Sequence, residues 1–421
     1  MNHPIVRMIA IGLIFCVVTV AWLILGGINE SRSNKQRYDL RGQVAELWGS
    51  AQTQAAPGLS FRWVEEREQT RTETVDGVAR EIRERVRTTQ TQAELPDSSD
   101  IEVSLHDDPR RKGLVWYALY DVDFQGRWTY KHDSAQPGTL DLSFAFPDTQ
   151  GIYDGFRFVV DGVDQARSLT PQNGQVVWSV PVEPQQEVTL EIGYKSRGLD
   201  EWRYRPNVGV SSLENFSLRM NTDFRQIDYP SGALSPSSRD ETGAGWALRW
   251  SFERAVTGRD IGMVVPKNLQ PGELAAAMSF SAPISLFFFF LILFVLGTLR
   301  GIDIHPINYV MLAGAFFAFH LLFSYAVDHL EVVPAFVLSG AVSVVLVVSY
   351  LRLVVSARFA FVEAAAAQVV YLIGFSVAHF WDGFTGLTVT VLSILTLFLL
   401  MQLTGRIRWS EALQRRPAEA R

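Results

Sequence analysis

Leu274–Leu299, LAAAMSFSAPISLFFFFLILFVLGTL, contains no charged residue and holds four consecutive phenylalanines at Phe287–Phe290. A hydrocarbon core of ~30 Å takes about 20 apolar helical residues to cross, so this stretch is long enough to span one. Ile307–Val327, Val332–Leu351, Phe359–Phe380 and Phe384–Leu403 follow, each of similar length and character. One such segment could be the buried helix of a soluble protein. Five in succession read as a membrane bundle. At the other end of the chain Met8–Ile28, MIAIGLIFCVVTVAWLILGGI, is uncharged as well. A cleaved signal peptide would have an apolar region of roughly 7–15 residues followed by a small-x-small site. Gly26-Gly27-Ile28-Asn29 matches that poorly, so the segment reads as an uncleaved anchor.

The charges are segregated in the same way. Of 38 lysines and arginines and 44 aspartates and glutamates, nine and seven lie outside residues 29–273. That leaves 29 basic against 37 acidic residues in the middle of the chain, a net of −8. An acidic domain is poorly suited to nucleic acid. The single cysteine, Cys16, sits in the first apolar run, so no intrachain disulfide and no cysteine metal cluster can form.

The loops carry an orientation signal. Arg300, then Arg352 with Arg358, then Arg406, Arg408, Arg415 and Arg416 fall in alternate connections, whereas Asp328, His329 and Glu331, and then Asp382, fall in the others. The positive-inside rule makes the arginine loops cytoplasmic. Six spans then put both termini in the cytoplasm and residues 29–273 outside, which in a Gram-negative cell is the periplasmic side of the inner membrane. Trp381 and Trp409, at span ends, fit an interfacial position.

Residues 30–52 read as a helix continuing out of the membrane. From about Ile101 the period becomes two: Leu114–Tyr120, Leu140–Phe146, Phe156–Val160, Val176–Val180, Val188–Ile192, Phe216–Met220 and Trp246–Trp250 alternate as strands do. Turn pairs such as Asp161-Gly162 and Asn173-Gly174 separate several of them. The expected fold class is therefore membrane α+β. It has an N-terminal anchor, a periplasmic antiparallel β-sandwich-like domain and a C-terminal five-helix bundle, six transmembrane helices in total. The expected divisions are 1–28 (cytoplasmic N-terminus and anchor), 29–273 (β-rich domain with its stalk helix), 274–405 (bundle) and 406–421 (cytoplasmic tail).

No catalytic signature, phosphate loop, dinucleotide fingerprint or metal-ligand spacing stands out, so no catalytic residue, metal or cofactor is expected. The aromatics of the outer domain, Trp202 and Tyr204 among them, are candidates for a sugar-binding face, with core packing the plainer alternative. Ionisable groups at membrane depth are functional candidates by default. They are His320 in mid-span, Glu363 one turn into its span beside Arg358, and His379 near a span end, with Asp328 and His329 at a rim. For His320 the choice lies between a relay or substrate group and a neutral histidine bonded to a facing helix.

The junction Arg300-Gly-Ile-Asp-Ile-His305-Pro306-Ile-Asn308-Tyr309, with the span that follows it through Phe319-His320-Leu321-Leu322 to Asp328-His329, resembles the CreD family of inner-membrane proteins. So do Leu95-Pro96, Arg110-Arg111-Lys112-Gly113-Leu114 and Tyr229-Pro230-Ser231-Gly232, and then Gly243-Ala244-Gly245-Trp246-Ala247-Leu248-Arg249-Trp250. The chain departs from the family's pattern at Asp303, where a basic residue is usual, and at His320, which replaces an aromatic. The resemblance implies a non-enzymatic protein that supports cell-envelope integrity in the stress response. Its expected partners are membrane lipids and other envelope proteins or peptidoglycan. A small-molecule or lipid transporter or sensor built on polar groups near His320 is the alternative, and a tethered carbohydrate-binding module a third.

Overall fold

The structure is a computed structural model that describes residues 4–75, 78–381 and 383–405. Asp382, Trp409 and the tail arginines Arg406, Arg408, Arg415 and Arg416 lie outside the described residues. The contacts divide the chain into two compact units. One comprises Met1–Leu40, Arg111–Trp116 and Leu269–Arg421; the other comprises Arg41–Arg110 and Tyr117–Asn268. Hydropathy draws its lines at 28/29 and 273/274, where solvent character changes. Contacts group residues by what they touch.

The first unit is helical. α1 (Pro4–Trp48) runs without a break from the apolar anchor into the polar stretch beyond it, and its last residues belong to the second unit. α2 (Pro271–Arg300) starts with Pro271 in its first turn, where the missing N–H is not needed. It ends at Gly301, whose left-handed backbone (φ 67°) closes the helix. α3 (Pro306–Ala326), α4 (Val332–Val354), α5 (Phe359–Phe380) and α6 (Thr385–Thr404) follow. With the anchor this makes six helices, among the described residues, long and apolar enough to cross a membrane. Phe289, Phe316, Phe319 and Tyr309 are buried at the centre of the bundle. Val337, Leu353, Phe361 and Phe398 lie open on its outside. In water such a surface would be a liability; in lipid it is the expected face. Pro283 lies well inside α2.

The second unit is built from sheets. An eight-stranded sheet runs, in spatial order, through Val163–Asp164, Asp154–Val160, Glu187–Leu199, Leu119–Lys131, Ser98–Asp107, Ser211–Thr222, Trp246–Thr257 and Ser238–Glu241. A four-stranded sheet runs through Gln175–Val182, Gly138–Ala145, Gly58–Val75 and Val78–Glu94. Their inward residues meet in one apolar cluster: Ile101, Val103, Phe124 and Trp128 from the first, Phe61, Leu140 and Phe144 from the second. The expectation of a purely antiparallel arrangement needs correction. Ser211–Thr222 pairs parallel with Ser98–Asp107, and Gln52–Ala55 pairs parallel with Glu201–Arg205. Alternation with period two is the same in either direction, so the sequence pattern cannot report strand polarity.

A second correction concerns Leu114–Tyr120, which is not one strand. Arg110–Lys112 and Val115–Tyr117 form a two-stranded hairpin, and a new strand starts at Leu119. Residues 111–116 belong to the helical unit. There the Leu114 N–H donates to Gln36 Oε1 (3.1 Å), and Trp116 and Gln270 exchange two hydrogen bonds of 3.0 Å.

Gly126 shows how tightly the sheet core is filled. A Cβ built there would lie 2.2 Å from the indole of Trp128, two residues on along the same face. Gly126→Ala is therefore expected to destabilise the sheet unit by about 1–3 kcal/mol through overpacking. Loss of the near-ultraviolet circular dichroism at a lower temperature than in the wild type would show it.

Candidate functional site

The polar residues of α1 and α3 meet pairwise. At the N-terminal end of both helices Arg7 forms an ion pair with Asp303 (2.5 Å) and donates to the Ile304 carbonyl (2.8 Å). Farther along, the Trp22 indole donates to His320 Nδ1 (3.2 Å), Asn29 Nδ2 to Ser324 Oγ (2.8 Å), and Arg32 Nη2 to Asp328 Oδ2 (2.7 Å). The partners are 295 to 298 residues apart in every hydrogen-bonded case. A nearly constant offset means that the two helices run parallel and in register. Trp22, Asn29, His320 and Ser324 are all buried. Arg32 also sits over the Tyr325 ring, 4.9 Å from its centroid.

His320 is thus bonded to a facing helix, and that helix is the anchor. An indole N–H only donates, so this contact uses Nδ1 as an acceptor, while the Phe316 carbonyl lies 3.3 Å from the same nitrogen. Asp328 faces Arg32 through one oxygen, while Oδ1 is buried without a hydrogen-bond partner. His329 is exposed. His305 caps α3, its side chain accepting from the Ile307 N–H (3.3 Å), and Pro306 takes the first turn. Tyr309 packs edge-on against Phe290 at 5.1 Å. The family-like His-Pro pair is therefore a helix start.

Glu363 does not pair with Arg358. Its Oε1 accepts from Arg300 at the end of α2 (2.7 Å). The cation that meets it comes from another helix. His379 is buried near the end of α5.

One polar group in the bundle had no reading from sequence. Gln368 is completely buried and donates to Ser343 Oγ on α4 (2.8 Å), which donates in turn to the Ala315 carbonyl on α3 (2.7 Å). A lone glutamine among alanines carries no charge to draw attention to it.

In the sheet unit Trp202 and Tyr204 are fully buried, so they form core and no sugar-binding face. Open clefts are present as well. One of about 490 Å³ lies between Trp48, His106, Asp121, Ile152 and Lys195. Another of about 550 Å³ lies between Trp63, Glu94, Tyr130, His132 and Asp133. Burial raises the Glu94 carboxyl, against the opposing pull of His132 and with help from Asp133 and Asp97. Near the first cleft, burial and then the charges of Asp223 and Asp108 push Asp107 up to about 6. Asp223 receives the Asp107 N–H (2.9 Å) and lies 3.3 Å from His106 Nδ1. Among the described residues no three His, Cys, Asp or Glu side chains converge as a metal site.

Six apolar helices, an anchor bonded into its bundle and a sheet-rich unit define a multi-pass membrane protein of mixed α and β structure. More particularly, the chain belongs to the CreD family. The family model described as "Inner membrane protein CreD" matches residues 3–254, which run through the anchor and the sheets. No curated protein matches the chain. Among solved structures it is similar to a "putative nutrient binding protein" from Legionella pneumophila, at 12% identity and a TM-score of 0.28, covering 47% of this chain and 74% of that one. A likeness so distant carries no argument.

Two predictions follow from these contacts. Arg32→Ala should destabilise the bundle more than the double variant Arg32→Ala with Asp328→Asn, because the single change leaves a carboxylate with no partner at all. A double-mutant cycle in detergent should give a coupling of about 1 kcal/mol; a coupling of zero would mean the pair is incidental. The second concerns pH. The folded-state value of Asp107 lies above its unfolded value of ~3.9, so its contribution is complete below about pH 4 and is lost as pH rises through 6. Asp107→Asn should therefore raise the melting temperature at pH 7.5 and change it little at pH 4.

Proposed function

We propose that this protein is a non-enzymatic component of the bacterial inner membrane that supports envelope integrity under stress. In this reading the two sheets form a sandwich-like docking domain on the periplasmic side, and both termini lie in the cytoplasm. The alternating arginine loops support that orientation. The observation that carries the proposal is the family match over residues 3–254, because it joins the anchor to the sheet unit as one shared part. The acidic surface of residues 29–273 favours protein or glycan neighbours over anionic lipid headgroups. The engagement of His320 by Trp22 favours a structural role for that histidine over a relay.

Deleting the gene in its host should increase sensitivity to detergents and to cell-wall antibiotics. Complementation with His320→Phe should restore resistance, since a phenylalanine keeps most of the packing and gives up one intramembrane hydrogen bond of about 0.6 kcal/mol. Unchanged sensitivity of the deletion strain would sink the proposal.

A further inference from the structure

We propose that α5 holds a file of bound water through which protons cross the bundle, with Gln368 at its middle. Two π-helical turns, Phe359–Ala364 and Val369–Gly374, lie in this span, while the other five spans are α-helical throughout their described residues. Such turns are rare and gather at functional sites, because the inserted residue disturbs the backbone ladder and re-aims side chains.

Gln368 sits between the two turns. Its amide nitrogen is used by Ser343, but its carbonyl oxygen Oε1 is buried and accepts nothing. Five residues earlier, Glu363 gives one oxygen to Arg300 and leaves Oε2 buried and unpartnered. Eleven residues later comes His379, a buried imidazole whose ring faces the backbone carbonyls of Phe375 and Ser376. Ser376 is buried between them. The three groups cover about 24 Å of helix at ~1.5 Å per residue. Orphaned acceptors inside a hydrocarbon slab are costly, and each calls for an occupant that donates.

The geometry identifies the occupant. A metal cation needs several oxygens converging on one point. Here the two bare oxygens come from residues five apart along one helix, an arrangement that suits water molecules better than a single ion. A titratable group stands at each end, an imidazole and a carboxylate, with a neutral amide between them. A proton taken up on one nitrogen of His379 leaves from the other into the file. It passes along the water held by Gln368 to the Glu363 carboxylate, which releases one proton at its own end. One proton enters and one leaves, and no bond is changed on balance. The other ionisable groups around this path are Arg300 of α2, which holds Glu363, His320 of α3, and Tyr371 of α5 itself.

This activity goes beyond the docking role and is tested separately from it. The full-length protein, reconstituted in vesicles that enclose a pH-sensitive dye, should dissipate a proton gradient at least tenfold faster than protein-free vesicles. Glu363→Gln and Gln368→Leu should each return the rate to the protein-free level. No excess flux from the wild type, or excess flux indifferent to both changes, overturns the proposal. Cys16 is the chain's single cysteine, so a Cys16→Ser background allows a check that does not depend on flux. Gln368→Cys should react with a small water-soluble thiol reagent at least tenfold faster than Phe361→Cys, which faces outward. Equal reactivity at the two positions removes the water file.

Discussion

Within a bilayer, apolar faces do not drive helices together, because lipid tails are as apolar as leucine. What holds a mostly lipid-exposed helix in a fixed place is polar contact and close approach. α1 is such a helix, with few of its spanning residues buried. It is held by the rungs to α3, from Arg7–Asp303 to Arg32–Asp328, and by Gly26, where a side chain would run into the Phe280 ring. The rest of the helical unit depends on this attachment, since it makes the anchor a member of the bundle.

The same pairing answers two of the residues at which the chain departs from the pattern of the family it resembles. Asp303, just before α3, is met by Arg7, and His320 on α3 by Trp22. A buried polar group without a partner costs far more than a paired one contributes, so such changes are tolerated in pairs. Gln368 and Glu363 differ in kind: each has one atom engaged and one left bare. The sheet unit solves its own problem by ordinary means, with two sheets closing over aromatic rings such as Phe124 and Phe144.

Much of this was legible in the residues. Span positions came within a few residues, because transfer of apolar side chains to lipid is a property of composition and length. Seven strands were placed by alternation, and all fall where sheets form. Leu114–Tyr120 is divided between two strands, because the same alternation runs from a hairpin into the strand that starts at Leu119. Trp202 and Tyr204 looked as suitable for a surface as for a core; only their neighbours put them inside.

The sequence by itself determined the solvent of each segment, the number of spans and the helical continuation of α1, and its motifs carried the family resemblance. The first three follow from local composition, which is the same wherever the segment ends up. The tertiary structure alone decided that α1 runs parallel to α3, that Glu363 answers to Arg300, that two strand pairs are parallel, and that Gln368 lies between π turns with a bare carbonyl. Each depends on which distant residues become neighbours. Hydrophobic periodicity records that a face is buried and is silent about what buries it.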